Sequence, residues 1–476
     1  MRRSRDQAPP WGYKWRSSEF FIIAATATAL LTDMFLHQFL VSILPFVLEH
    51  RLGLEPELIQ RVSVILLAET ALVSFIVTPV IGCFSDQLGA RTWLLLGLFG
   101  ELAGSVIIAS AHSLLTLFSG RFVQAVANTI VGVLGITHLT KNTSSNGTEK
   151  IYGVLTVSLA AGSCGGPLMA GVIFDLAEYW TAWTSAFGAS VIGLVLQSLM
   201  LVQPQDTDHE VKSVVAQANV GEDLSEASPL LVSSSLPDLS EMSGQLKSTI
   251  NKLDLQFYIC LLTNRRYIGG VLSSICYAIV SVSFDTTLPI HVGEVFQWGS
   301  LQTGILFAIL QGPNAFFSIP VKWLKDRVGS RYPTSVGFLG LAGLLWLAGT
   351  PGDDRFPWAN LGYRGPMIYV ATIAAMGIFM TLLNGTGMME SANAVRDIET
   401  HQPGRFGEEA YSQALLISRL SWTFGLFLGP ILSGQLTEKV GYHDMTCILA
   451  TMCLLCAVFA IWNLKFVTLA VKATKR

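Results

Sequence analysis

The chain has 476 residues, of which 51% are hydrophobic and 13% charged, with a formal net charge of -3. That charged fraction is about half the ~25% usual in soluble domains, too little to clothe a water-facing surface. The near-neutral balance speaks against a nucleic-acid binder, and the composition against a soluble enzyme.

A helix needs about 20 mostly apolar residues to cross a bilayer, because lipid offers no partner for backbone N–H and C=O groups. Twelve such stretches are predicted, over 20–48, 59–81, 92–111, 114–140, 151–174 and 181–202, then 267–292, 301–324, 332–350, 365–391, 411–436 and 445–470. The first is too long for a signal peptide and lacks a suitably placed cleavage site. Residues 203–264 are polar and poor in aromatics, with Asp206, Asp208, Glu210, Glu222, Asp223, Glu226 and the run Ser233, Ser234, Ser235. They read as a disordered linker. The expected organisation is therefore a cytoplasmic tail over 1–19, a six-helix bundle over 20–202, the linker over 203–264, a second six-helix bundle over 265–470, and a short tail over 471–476. The fold class is an all-α membrane protein of twelve transmembrane helices in two pseudo-symmetric bundles.

Lys and Arg concentrate in the segments that lie inside if the N-terminus is cytoplasmic. The outer segments hold only Arg51, Arg61, Arg355, Arg364 and Lys439, so both termini are expected in the cytosol. The sequons at Asn142 and Asn146 then face the cytosol and stay unmodified. The seven cysteines sit in or beside spans, with neither a disulfide framework nor metal-ligand spacing, and no metal site is expected.

The halves repeat. Asp86, Gly89 and Arg91 after span 2 are matched in spacing by Asp326, Gly329 and Arg331 after span 8. Gly162, Gly166, Pro167 and Gly171 in span 5 are matched 263 residues later by Gly425, Gly429, Pro430 and Gly434 in span 11. Small residues four apart let helix backbones approach, and a following proline permits a bend. A single G-x-x-x-G is ordinary packing; two copies with matching flanks are a repeat. Repeated six-span halves mark secondary transporters, with the substrate site between the halves near mid-membrane.

These residues resemble the major facilitator superfamily. Gly82-Cys83-Phe84-Ser85-Asp86-Gln87-Leu88-Gly89-Ala90-Arg91 resembles its loop motif, and Gly120-Arg121-Phe122-Val123-Gln124 its fourth-helix motif. Gly162-Ser163-Cys164-Gly165-Gly166-Pro167 is similar to the fifth-helix motif of its drug:proton antiporters. Leu31-Thr32-Asp33-Met34 with Leu44-Pro45, Phe284-Asp285-Thr286-Thr287-Leu288-Pro289, and Met388-Met389 with Asp397 resemble the vesicular amine transporter branch and its fungal relatives. The resemblance implies export or compartment loading of a small organic molecule, driven by inward proton flow. It implies substrate or proton binding at Asp33 and Asp285, a cytoplasmic latch in the loop motif, and support of proton coupling at Arg121. Thr70 stands where the amine transporters carry a lysine, Gly385 where they carry a helix 10 acid, and Arg419 where they carry a helix 11 acid.

An ionisable group near the bilayer centre costs about 2.5–3.5 kcal/mol on insertion scales, so it normally lines a protein interior or a water path. Asp33 lies near the middle of span 1 and Asp285 deep in span 7. Gln124 and Asn128 continue a polar face from Arg121 at i+3 and i+7. Glu69 and Glu390 join them as candidate substrate- or proton-binding residues, while Glu101 reads as a helix-packing partner. A cation at Arg419 either attracts an acceptor-rich or anionic part of the substrate or neutralises a neighbour such as Glu69 or Glu390. Asp86 with Arg91, and Asp326 with Arg331, are expected to close a cytoplasmic gate. Glu226, Leu230 and Leu231 in the linker match a short acidic dileucine sorting pattern for a trafficking adaptor.

The expected function is export by proton antiport with alternating access. Proton symport of a nutrient and a non-transporting sensor stand as alternatives. No H-E-x-x-H, G-x-S-x-G or P-loop pattern occurs, so enzyme chemistry and nucleotide-driven pumping are not expected. The partners are a small molecule, protons and the bilayer, with no cofactor beyond the proton gradient. A monomer is expected, in the plasma membrane or a vacuolar or endosomal membrane.

Overall fold

A computed structural model of the chain describes residues 12–84, 90–141, 148–177, 179–200, 257, 259–360, 362–401 and 409–464. Asp86, Gly89, the sequon asparagines, most of the linker and the dileucine pattern lie outside the described residues. A one-turn helix, Tyr13–Arg16, precedes six long helices: α1 (Glu19–His50), α2 (Pro56–Phe84), α3 (Ala90–Ala109), α4 (Leu114–Lys141), α5 (Thr148–Leu176) and α6 (Tyr179–Leu199). The second half holds α7 (Arg265–Phe296), α8 (Ser300–Val328), α9 (Arg331–Ala348), α10a (Arg364–Leu383), α10b (Thr386–His401), α11 (Glu409–Val440) and α12 (Tyr442–Asn463). Polar side chains start two of them. Ser18 Oγ accepts from the Phe21 N–H at 3.3 Å, and Asn264 Oδ1 accepts from the Arg266 N–H at 3.0 Å, each satisfying a donor that the helix leaves open.

Among the described residues, eleven helices are long and apolar enough to cross a membrane. The ninth expected span, 332–350, is not among them: its helix α9 has 18 residues and opens on Arg331, Tyr332, Pro333, Thr334 and Ser335. It packs within the bundle all the same, against α10a and α12. The tenth span also departs from expectation. It is broken at Asn384–Gly385, where Gly385 takes φ 72°, and helix resumes through residues expected to form a loop. A buried lysine holds the break. Lys325 Nζ donates to the Asn384 carbonyl at 2.8 Å and to Thr386 Oγ1 at 2.9 Å, so a side-chain donor satisfies the carbonyl end of the half-helix.

The repeat is realised as duplicated packing. α1 lies on α5 as α7 lies on α11; α3 lies on α4 and α6 as α9 lies on α10a and α12. Between the halves, α5 lies on α8 as α11 lies on α2. The repeated glycines occupy these seams. A Cβ at Gly162 would meet the Leu31 carbonyl and Met34, and one at Gly166 would lie 2.5 Å from the Phe35 carbonyl oxygen. Gly425 meets Ile275 and Ala278, and Gly429 meets Ile279 and Val282, in the matching places on α7. Gly171 faces Ser300 and Gly304 of α8, while Gly434 faces Val64 of α2.

The direct polar contacts between halves among the described residues gather toward the end that the charge bias assigns to the outside. Ser300 Oγ donates to the Gly171 carbonyl at 3.4 Å, and Gln60 Nε2 to the Gly434 carbonyl at 3.3 Å. Arg61 pairs with Glu438 beside them, and the Cys164 thiol lies 3.6 Å from the Ala308 carbonyl. Further in, on the other half of α8, Phe316 and Phe317 are exposed rather than clamped.

Two outcomes follow. Gly166→Ala should cost about 1–3 kcal/mol through overpacking against fixed backbone, seen as a lower unfolding temperature in detergent. Gly188→Ala, where a Cβ meets open space, should leave that temperature unchanged or raise it. In the loop after α9, Arg355 holds the Asp353 carboxyl below the ordinary aspartate range. That contribution is present above the unfolded value of 3.8 and lost as pH falls through the lower folded value. Amide exchange across 351–360 should therefore accelerate only under strongly acidic conditions.

Candidate functional site

Four helices of the first half line a small cavity of about 10 Å³, room for about one water, bounded by Asp33, Leu36 and His37 of α1, Thr70 of α2, Glu101 of α3, and Arg121, Gln124, Ala125 and Asn128 of α4. Residues three, four and seven apart share a helix face, which is why α4 delivers Arg121, Gln124 and Asn128 together. His37 follows Asp33 by one turn for the same reason.

Arg121 is 1% exposed and saturated with partners. Its Nε donates to Thr70 Oγ1 at 2.9 Å, Nη1 to Gln124 Oε1 at 2.6 Å, and Nη2 approaches His37 Nδ1 at 3.5 Å. Gln124 passes the chain on to Ser105 Oγ at 3.2 Å. Half-buried Glu69 supplies the nearby negative charge.

Asp33, also 1% exposed, accepts a hydrogen bond from Asn128 Nδ2 on Oδ1. Its other oxygen has no donor. Glu101, which the sequence reading set aside as a packing partner, places its carboxyl against that of Asp33, and neither Glu101 oxygen has a donor either. From the second half, Arg419 on α11 comes into electrostatic contact with Asp33. Both reach toward Gly132 on α4, where a Cβ would stand 3.1 Å from Arg419 Nη2 and 3.9 Å from Asp33 Oδ2. The neighbour of Arg419 is thus Asp33, not the expected Glu69 or Glu390.

Asp285 is 8% exposed on α7 and turns to Gln38 of α1, again across the halves, with Tyr277 nearby. Glu390 lies elsewhere. It is fully buried within the second half, paired with Arg266 and accepting from Ser330 Oγ at 2.5 Å; Arg266 also reaches Asp397 at 3.2 Å. Asp326 is exposed and makes no ion pair with Arg331 among the described residues. Its neighbours Lys325 and Ser330 make the polar links instead, and Gly329 turns the chain at φ 87°. In the first half, Gly82 falls in the last turn of α2, and Arg91 Nη2 donates to the Ser198 carbonyl at the end of α6. The arrangement can hold a proton or a cation at Asp33 and a negative group at Arg419, each from a different half.

The profile of the Major Facilitator Superfamily matches residues 20–395. The chain belongs to the major facilitator superfamily. Over its length this superfamily member is 24% identical to the MFS-type transporter ppzB of Metarhizium rileyi, covering 94% of this chain and 95% of that protein. It is 26% identical to a probable vesicular acetylcholine transporter-B of Danio rerio, over 89% of this chain and 75% of that one. With a tetracycline resistance protein, class E, of Escherichia coli it shares 23% identity over 58% and 59% of the two chains. A crystal structure of a POT family transporter in complex with 5-aminolevulinic acid superposes with a TM-score of 0.66 at 14% identity, covering 95% and 96% of the two chains. The fold is that of a superfamily transporter, and the protein is a multi-pass membrane transporter.

Arg121→Lys keeps the charge but cannot reproduce the forked donors. Leaving buried Thr70 and Gln124 short of a partner should cost about 1–3 kcal/mol, read as a lower unfolding temperature of the purified protein.

Proposed function

We propose that this transporter exports a small organic molecule from the cytosol by exchange for protons, with both termini cytoplasmic. The observation that carries the reading is the Asp33 carboxyl: it is buried at mid-helix, has one oxygen without a donor, and borders a water-sized space with Glu101, Arg121 and Asn128. Such a group is maintained against its insertion cost where protons or a cation come and go. The antiporter-like fifth-helix glycines, seated on α1 beside Asp33, support exchange over uptake. The relatives named for tetracycline resistance and vesicular acetylcholine transport support a small organic substrate. The duplicated seams between α5 and α8 and between α11 and α2 give the two halves surfaces on which to rock.

Purified protein in liposomes, with the cytoplasmic face at neutral pH and the opposite face acidic, should drive a transported compound toward the acidic side. A screen over metabolite classes finds the compound, and an ionophore that collapses the gradient should abolish its accumulation. Asp33→Asn should lower gradient-driven accumulation at least about tenfold, equivalent to roughly 1.4 kcal/mol or more of lost coupling. Accumulation that survives both the ionophore and Asp33→Asn would overturn the reading.

A further inference from the structure

Asp33, Glu101 and Asn128 present an incomplete hydrogen-bond account. Asn128 satisfies Asp33 Oδ1, but Asp33 Oδ2 and both oxygens of Glu101 lack donors although the two carboxyls adjoin. Buried acceptors left this way are costly, and two ionised carboxylates side by side away from water repel strongly. One added proton removes the repulsion and leaves a single Glu101 oxygen without a donor. A protonated Glu101 donates to Asp33 Oδ2, leaving Asp33 ionised with a donor on each oxygen. That Asp33 carboxylate faces Arg419, which arrives from the second half, is only half-buried, and whose guanidinium makes no direct ion pair among the described residues.

We infer that Asp33, Glu101 and Arg419 form a proton-controlled clasp between the two halves: Glu101 keeps its proton and positions Asp33, while protonation of Asp33 removes the attraction that draws Arg419 across the cleft. The other charged and titratable groups around Asp33 are engaged elsewhere. His37 on α1 and Glu69 on α2 face Arg121, and Arg121 on α4 is tied to Thr70 and Gln124. Arg419 is therefore the cation whose partner changes when Asp33 takes a proton. The clasp sits on the cytoplasmic side of the seams that Gly171 and Gly434 make, so its release frees the inner ends of the halves while the outer ends stay in contact. This inference rests on the exchange reading and gives Glu101 and Arg419 separate parts in it. Glu101 is a positioning residue, since it acts through Asp33.

The test uses the full chain in lipid nanodiscs, with spin labels on ketone-bearing side chains introduced at Val80 of α2 and Trp323 of α8, leaving the native cysteines untouched. Both positions are exposed, near the inner ends of opposite halves. The distance between labels should lengthen by several ångströms as pH falls through a single transition. Arg419→Gln should give the long distance at every pH, and Arg419→Lys should restore a weaker transition. Glu101→Gln still donates to Asp33 and should keep the transition near its original pH. Glu101→Leu removes the donor and should move the midpoint up by about one pH unit or more, a tenfold change in proton affinity. A purely structural Glu101 would instead lower stability in both variants without moving the midpoint. Distances that ignore pH in the unmodified background, or that are unaffected by Arg419→Gln, overturn the clasp. If proton-driven flux persists in that case, the exchange reading survives without it. If flux ignores the gradient while the distance still responds, the exchange reading falls and the clasp stands.

Discussion

An ionised side chain in the middle of a bilayer needs a partner inside the protein, and most of this architecture serves that need. Asp33 finds Asn128 and Glu101 within its own half and Arg419 in the other half. For Arg419 to come so close, α4 must carry no side chain at 132, and glycine stands there. For Asp33 to be fixed in depth and rotation, α1 must seat firmly on α5, which Gly162 and Gly166 permit by admitting the α1 backbone. The charge thus constrains the glycines, and the glycines constrain the packing of the half.

The same seam recurs in the second half with different chemistry beside it. Gly425 and Gly429 seat α11 on α7, and this fixes the rotation of α11 that carries Arg419. Each half therefore delivers one charge from a helix anchored by its own glycine seam. Between the halves, Gly171 admits the α8 backbone at Ser300 and Gly304 and Gly434 admits the Val64 side chain, with one direct hydrogen bond at each place, Ser300 to the Gly171 carbonyl and Gln60 to the Gly434 carbonyl. The buried cluster of Arg266, Glu390, Ser330 and Lys325 stays wholly within the second half and braces it as a unit.

Much of the fold was legible because lipid imposes a crude rule on sequence: long apolar runs become helices. The rule weakens at α9, where the first turn is polar yet packed, and at the tenth span. There Gly385 breaks the helix, and a lysine from α8, remote in sequence, holds the break. The repeat was legible as spacing, and its meaning as seams needed coordinates. Within the site, the α4 face of Arg121, Gln124 and Asn128 could be read from periodicity. Glu101 could not be weighed, since an acid in a span looks the same whether it braces a helix or adjoins another carboxyl. The partner of Arg419 was beyond the sequence too. Asp33 and Arg419 are separated by nearly the whole chain, and only the pairing of the two halves brings them together. Asp326 and Arg331 show the converse: Gly329 between them turns the chain, and the polar contacts pass to the adjacent Lys325 and Ser330.

Two arginines inside the bundles make the division of labour clearest. Arg121 is held by hydrogen bonds to Thr70 and Gln124 and by the nearby Glu69, all from its own half, so moving it would break several contacts at once. A group so bound keeps the cavity walls in place. Arg419 has a Coulombic partner across the cleft, a half-buried guanidinium and no direct ion pair among the described residues, so it can part from Asp33 without stripping a network. Asp33 is the acid that faces Arg419, whereas Glu69 lies toward Arg121 and Asp285 toward Gln38. A carrier that changes shape needs one interaction whose strength depends on its cargo, embedded among many that do not. Arg121 belongs to the many, and Arg419 has the surroundings of the one.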